Sequence, residues 1–320
     1  MPSKLSRSVV VVTGASSGIG RASALRFARK GAAVVLTARN EPALREVASE
    51  CEQLGARTLV LPADVTDEAA VKELARIVVA AFGRLDVWVN NAAVALFARF
   101  EDAPPEAFRQ VIETNLFGYV HGARAALPYF RKQNGGVLIN VSSVFGPGGA
   151  PYLSAYIASK YAIRGLSSCL RQESRDTGIH VVTVLPASVD TPMFQHAANF
   201  CGRDAQPLEP VYPAEQVARA IVRSALRPRR EVFVGKPRRS KGLLSRVSPS
   251  LGERRAARKE GEARRPSALA PPSPGNLFAP MPPAEVSGGW RRATYVRKGL
   301  LLGLLALPFL ISWRRQRRNF

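Results

Sequence analysis

Residues 9–20 read VVVVTGASSGIG, and that stretch decides the fold. Val9, Val10, Val11 and Val12 form a short, continuous apolar run of the kind that reads as a buried parallel strand. Thr13-Gly14-Ala15-Ser16-Ser17-Gly18-Ile19-Gly20 follows at once, and then a helical pattern that ends near Lys30-Gly31. Gly14 allows a tight turn, Gly18 lets backbone come close to a pyrophosphate, and a helix N-terminus offers N–H groups and positive charge to that anion. A glycine-rich segment alone is often only a loop. A strand before it and a helix after it make it a dinucleotide-binding signature.

Downstream, residues 33–38 read as a second strand, whose end bears on which dinucleotide fits. An acid that would hold a ribose 2′-hydroxyl belongs about twenty residues after the glycines. Ala38 and Arg39 stand there instead. No carboxylate repels a 2′-phosphate and Arg39 can pair with one, so NADP(H) is favoured over NAD(H). The plainer alternative is that Arg39 is a solvated loop charge.

Helix and strand then alternate. Residues 41–54 read as helix and 58–61 as a strand ending at Ala63-Asp64-Val65, where Asp64 either bonds an adenine amino group or caps the helix entered through Thr66 and Asp67. Residues 85–89 read as a strand running into Asn90-Asn91-Ala92-Ala93, polar residues at a strand's carboxyl end, where ligands bind or a turn is built. A long helical stretch, 105–130, carries Asn115 among Val111, Ile112 and Leu116. Its amide is costly if unpaired, so it locks a local kink or holds a water. Residues 137–141, 181–185 and 231–234 read as further strands, and 214–226 as a helix. The alternation predicts an α/β fold of Rossmann type, a doubly wound parallel sheet of about seven strands in a three-layer α/β/α arrangement.

Residues 140–160, NVSSVFGPGGAPYLSAYIASK, supply a hydroxyl, a phenol and an ammonium in Ser143, Tyr156 and Lys160. Tyr156 and Lys160 are four apart, so on a helix they share a face. A cation close to the phenol would lower its pKa from about 10 and let it give or take a proton near neutral pH. Ser143, after the strand 137–141, would hold the oxygen that Tyr156 protonates. By itself the pair also suits an ordinary solvated helix face.

In combination these motifs resemble the short, single-domain branch of the short-chain dehydrogenase/reductase family, over roughly residues 5 to 235. The TGxxxGxG loop is Thr13 to Gly20, the NNAG-type turn is Asn90 to Ala93, the helical asparagine is Asn115, and the serine and YxxxK pair are Ser143, Tyr156 and Lys160. The resemblance implies that Tyr156 is the general acid/base and that Ser143 orients the substrate oxygen. It implies too that Lys160 lowers the tyrosine pKa and binds the nicotinamide ribose, and that Asn115 holds a water in the proton relay. Cofactor contacts are implied for Thr13, Gly14, Ser16, Ser17, Gly18, Ile19, Gly20, Arg39, Asp64, Val65, Asn91, Ala92, Tyr156, Lys160, Pro186, Val189 and Thr191. Thr191 would bind the carboxamide. Ala93 and Ala187 stand where the family usually has glycine. The resemblance also suggests a homodimer or homotetramer through the helices carrying Asn115 and Tyr156.

Candidate walls of a substrate pocket are Val94, Leu96, Phe97, Val144, Phe145, Tyr152, Met193, Phe194 and Phe200. They are mostly apolar, which leans toward a lipophilic carbonyl or alcohol. Residues 192–210 are long and turn-rich, as a lid or a merely variable loop would be. The expected activity is hydride transfer between NADP(H) and such a substrate; the alternative is a non-catalytic, cofactor-sensing binding protein.

The chain has 320 residues, 46% of them hydrophobic, enough for one large core and a tail. Residues 236–320 hold 19 Lys+Arg against 4 Asp+Glu, so +15 of the net +22 lies there. The expected division is a catalytic domain over 1–235, a basic disordered linker over 236–289, and a candidate membrane anchor over 290–320. Residues 299–312, GLLLGLLALPFLIS, lie between Arg/Lys clusters. As a helix they would span about 22 Å, short of the roughly 30 Å hydrocarbon core. Snorkelling cations would extend that reach, and Trp290, Tyr295 and Trp313 suit an interface. The expectation is contact with anionic membrane lipid; a helix packed on protein ranks second, and nucleic acid is not expected because no recognition motif accompanies the charge. Cys51, Cys169 and Cys201 are scattered and odd in number, which argues for a reducing, cytoplasmic compartment and against a disulfide framework. His121, His180 and His196 lack ligand spacing, so no metal is expected. The N-terminus does not read as a signal peptide.

Overall fold

A computed structural model of the chain describes residues 5–144, 150–235, 268–282 and 284–291. Seven parallel strands form its sheet: β1 (Val9–Thr13), β2 (Ala33–Thr37), β3 (Thr58–Val60), β4 (Val87–Asn90), β5 (Gly136–Val141), β6 (Ile179–Pro186) and β7 (Glu231–Val234), in the order β3-β2-β1-β4-β5-β6-β7. The order reverses between β1 and β4, where open α/β sheets place their ligand crevice. In register, Val12 lies beside Leu36 and Val89.

The valine run explains the layers. Side chains alternate across a strand. Val10, Val12, Val34 and Leu36 enter a core with Phe27 of α1 (Gly18–Ala28), Leu44 of α2 (Glu41–Gln53) and Ile221 of α8 (Ala214–Leu226). Val9, Val11 and Val35 enter the opposite core, with Leu74 of α3 (Glu68–Phe82) and Phe130 of α5 (Gly118–Lys132). Between α3 and α5 in sequence, α4 (Pro105–Ile112) passes into a π-turn (Glu113–Phe117) that continues as α5. The stretch is helical as expected, with a π-helical turn around Asn115. The helix α6 (Ser154–Glu173) follows β5, and a single turn, α7 (Met193–His196), lies in the 192–210 stretch. Two-residue strands Leu96–Phe97 and Ala198–Asn199 pair in parallel and tie that stretch to the loop after β4.

Residues 268–282 and 284–288 correct the expectation of a disordered linker over their length, because they pack on the domain as a strap. Antiparallel bridges join Arg203 to Leu269 and Asn199 to Ser273. Leu277 is completely buried, in a cluster with Val94, Leu96 and Val111; burial of such a side chain contributes about 1.5–3 kcal/mol. The strap is rich in proline (Pro271, Pro272, Pro274, Pro280 and Pro282), and proline lowers the entropy an unfolded segment loses on ordering. A few anchors therefore suffice where composition alone suggests disorder.

Residues 1–288 form one compact unit and 289–320 another. Among the described residues no helix is long and apolar enough to cross a membrane. The candidate anchor at 299–312 lies outside the described residues.

Candidate active site

The loop from Thr13 to Gly20 is held by the turn after β4. Thr13 Oγ1 donates to the Val89 carbonyl (3.2 Å) and accepts from the N–H groups of Asn91 (2.9 Å) and Ala92 (3.1 Å). Asn91 Nδ2 donates back to the Thr13 carbonyl (2.9 Å). Gly14 and Gly18 adopt φ of +63° and +52°, a region open mainly to glycine. A Cβ on Gly20 would land on the Gly14 carbonyl. Ser17, at the N-cap of α1, makes no side-chain cap bond; the Gly18 N–H of the first turn donates to the Glu285 carbonyl (2.8 Å). Asn90 is turned inward, accepting from Trp88 Nε1 (2.7 Å) and donating to Asn140 Oδ1 (2.9 Å). Both asparagines thus build the turn.

One cleft at the carboxyl ends of the strands is lined by Gly14, Arg39, Ser143, Tyr156, Lys160 and Thr191 together. Ser16, Ser17, Gly18, Ile19, Asp64, Val65, Asn91, Ala92, Pro186 and Val189 line it as well, whereas Thr13 and Gly20 brace it from behind. Of the expected substrate walls, Val94, Phe97, Met193 and Phe194 face this cleft. Leu96 and Phe200 pack instead in the Leu277 cluster; Phe145 lies outside the described residues.

Within the cleft, Ser143 hydrogen-bonds the Tyr156 side chain. Burial pushes the Tyr156 phenol up to about 12, with the Ser143 bond opposing. That differs from the expected lowering by Lys160, and geometry gives the reason. Lys160 Nζ lies over the Tyr156 ring, 5.5 Å from its centroid, and donates to the Val141 carbonyl (3.0 Å) and the Tyr119 hydroxyl (3.4 Å). Burial lowers the Lys160 pKa to about 7. The i, i+4 spacing does put the pair on one face, but the ammonium points past the ring to β5.

Asn115 has both halves of its amide in use. Its Oδ1 accepts from the Val94 N–H (2.8 Å), and its Nδ2 donates to the Val94 carbonyl (2.9 Å) and to Ser159 Oγ (3.2 Å). The side chain therefore joins the π-turn to the loop after β4 and to α6. Asp64 accepts from the Thr66 N–H and hydroxyl (both 2.9 Å), and Asp67 caps α3 through Ala70 (3.0 Å). Arg39 Nη1 lies 3.9 Å from Asp64 and donates to the Leu277 carbonyl (2.9 Å); Nη2 donates to that of Asn276 (2.5 Å). Arg39 is thus no solvated loop charge.

The family model for short chain dehydrogenase matches residues 8–201. The chain belongs to this family. Among relatives of the short-chain dehydrogenase, an uncharacterized oxidoreductase of Bacillus subtilis, YxnA, is 38% identical over 257 residues, covering 78% of this chain and 72% of that one. An uncharacterized oxidoreductase of Staphylococcus epidermidis is 36% identical over 225 residues, covering 70% and 94%. A metagenomic short-chain oxidoreductase solved in complex with NADP is 32% identical, with a TM-score of 0.63, covering 72% of this chain and 98% of that one. An alcohol dehydrogenase of Thermococcus sibiricus, complexed with 5-hydroxy-NADP, is 29% identical with a TM-score of 0.63, covering 71% and 95%.

Three features of this short-chain dehydrogenase site escaped the sequence. Tyr119 is buried, donates to the Val141 carbonyl (2.9 Å) and accepts from Lys160. Its position in α5, facing β5, follows only from the packing. His196, on α7, lines the cleft and is kept neutral more strongly than usual by burial, with a backbone hydrogen bond at Pro282 opposing. The strap contributes Asn276, Pro280, Met281 and Ala284 to the same cleft. No spacing rule links residues so far apart in sequence.

Proposed function

We propose that this short-chain dehydrogenase transfers hydride between NADP(H) and a lipophilic carbonyl or secondary alcohol. The observation that carries this reading is the Ser143–Tyr156 hydrogen bond, set in the cleft that the glycine loop and Arg39 also line. The residues suit a dinucleotide. The glycine loop leaves room for backbone approach, α1 points its N-terminus at the cleft with the Gly18 N–H engaged by the Glu285 carbonyl, and Arg39 supplies a guanidinium where a 2′-phosphate belongs. The NADP and 5-hydroxy-NADP bound by the two solved relatives favour the same cofactor.

When bound, the nicotinamide supplies or accepts the hydride. The protein's own part is to orient the substrate and move a proton. Ser143 holds the substrate oxygen, and the Tyr156 hydroxyl gives that oxygen its proton in reduction or takes it in oxidation. A phenol pushed up to about 12 is protonated at neutral pH, which suits donation to a carbonyl. Lys160 places a cation under the site for the ribose hydroxyls, and Asn115 holds the π-turn against Val94 so that the cleft wall keeps its shape. Val94, Phe97, Met193 and Phe194 make an apolar wall that favours a lipophilic substrate.

The tail extends the proposal to membrane contact, supported by the apolar 299–312 stretch between basic clusters. The family resemblance supports a homo-oligomer.

The test is fluorescence titration with NADPH and NADH on wild type and Arg39→Ala, followed by turnover of a carbonyl and alcohol panel by wild type and Tyr156→Phe. Expected are NADPH binding weakened by Arg39→Ala, and a turnover loss of about 10²- to 10⁴-fold in Tyr156→Phe with nucleotide binding kept. Binding of neither nucleotide, or turnover indifferent to Tyr156, would sink the reading.

A further inference from the structure

The strap lies against the part of the cleft that faces Arg39 and the glycine loop. Arg39 Nη1 and Nη2 donate to the consecutive carbonyls of Leu277 and Asn276 at 2.9 and 2.5 Å. Those two carbonyls are fixed in turn. The Leu277 side chain is completely buried beside Val94, Leu96 and Val111, its carbonyl also accepts from Gln110 Nε2 (3.3 Å), and the Asn276 N–H donates to the His196 carbonyl (2.8 Å). Farther along, the Glu285 carbonyl accepts from the Gly18 N–H (2.8 Å) and the Ala284 carbonyl from Arg21 Nη1 (2.5 Å). Ser287 Oγ and the Gly288 N–H both donate to Asp190 (2.8 and 3.1 Å).

From this geometry we infer that the strap is a working half of the dinucleotide site, in which Asn276 and Leu277 are positioning residues that hold the Arg39 guanidinium for the 2′-phosphate. The inference rests on the NADP(H) reading above and deepens it. An arginine on a free loop gives up rotamer freedom when it grips a ligand. Here that freedom is already spent in folding. Neutral carbonyls fix the guanidinium without cancelling its charge, and they engage only some of its five N–H donors, leaving others for phosphate oxygens. Among the described residues, Asp64, at 3.9 Å, is the one carboxylate set beside Arg39; it is engaged with Thr66. Specificity for the phosphorylated dinucleotide is therefore written partly in a segment more than two hundred residues away from the glycine loop.

The test uses the full chain and measures equilibrium binding of NADPH and of NADH to wild type, Leu277→Ala, Gln110→Ala, Arg39→Ala and the Arg39→Ala/Leu277→Ala double variant. Gln110→Ala loosens the Leu277 carbonyl from the surface of α4 and guards against a Leu277→Ala chain that fails to fold. Both strap variants are expected to weaken NADPH by about three- to tenfold, the cost of ordering one rotamer-rich side chain, and to leave NADH within about twofold. Leu277→Ala is expected to cost nothing further once Arg39 is gone. Equal weakening of both nucleotides would mean that the strap merely supports the fold. Unchanged NADPH binding, or tighter binding because the carbonyls had been occupying the guanidinium, would also overturn the inference. Wild type that binds neither nucleotide is a separate result, which removes the oxidoreductase reading itself.

Discussion

The Lys160 ammonium stands 3.4 Å from the Tyr119 hydroxyl, and that hydroxyl in turn donates to the same Val141 carbonyl that Lys160 uses. A charge buried this deeply is costly unless it is hydrogen-bonded. Tyr119 and Val141 meet that need on the side away from the Tyr156 hydroxyl, and they fix where the cation can act.

Tyr119→Phe removes one of those partners. A hydrogen bond to a charged group contributes about 1.5–3 kcal/mol, so the ammonium becomes less stable and its pKa falls. Where activity requires the charged lysine, the high-pH limb of kcat should move to lower pH, and turnover at neutral pH should drop by about tenfold or more. A pH–rate profile checks this; an unmoved limb would leave Tyr119 a packing residue.

Lys160 should also mark the pH dependence of stability. Its folded pKa of about 7 lies below its ordinary 10.5, so between those values the unfolded chain binds more protons. Its contribution therefore makes stability rise with pH across that window and is least favourable below about pH 7. Lys160→Met should flatten this dependence and, at neutral pH, stabilise the cofactor-free fold by an amount on the order of a few kcal/mol. Denaturant unfolding at a series of pH values measures the difference.

Two glycines separate backbone necessity from tolerance. Gly20→Ala drives a Cβ into the Gly14 carbonyl, and because backbone cannot yield as a flexible side chain can, the expected result is a loss of several kcal/mol or no soluble protein. Gly165, on an exposed face of α6, has nothing within 4 Å of its Cβ position. Gly165→Ala should raise stability by about 0.5–1 kcal/mol, read as an increase in Tm.

Cys51 is buried on α2, where burial foremost pushes its thiol up to about 12; Cys169 is exposed on α6. A thiol reagent followed by peptide mapping should label Cys169 in the native protein and reach Cys51 only after unfolding. Early labelling of Cys51 would mean that α2 opens locally.

The layered sheet was legible because its causes are local in sequence. Four consecutive valines alternate their side chains into two cores, the glycines at 14, 18 and 20 leave a loop that few other residues could form, and a four-residue spacing suffices to put Tyr156 and Lys160 on one helical face. The expectation of NADP(H) was readable as far as Ala38 and Arg39 standing where an acid would hold a ribose hydroxyl. The sequence by itself therefore determined the α/β/α architecture, the family, and that Ser143, Tyr156, Lys160 and the glycine loop belong near one another, but not that His196 and the strap join them in the cleft. Tertiary structure decided what those residues do to one another. A helical spacing fixes where a Cβ lies but not where a four-carbon side chain ends, so the turn of the Lys160 ammonium toward Tyr119 and Val141 came only from packing. Likewise, composition measures how much apolar surface a segment owns, while order depends on where one buried side chain finds its pocket. Leu277 finds it beside Val94 and Val111, and a proline-rich stretch of the tail becomes a wall of the site.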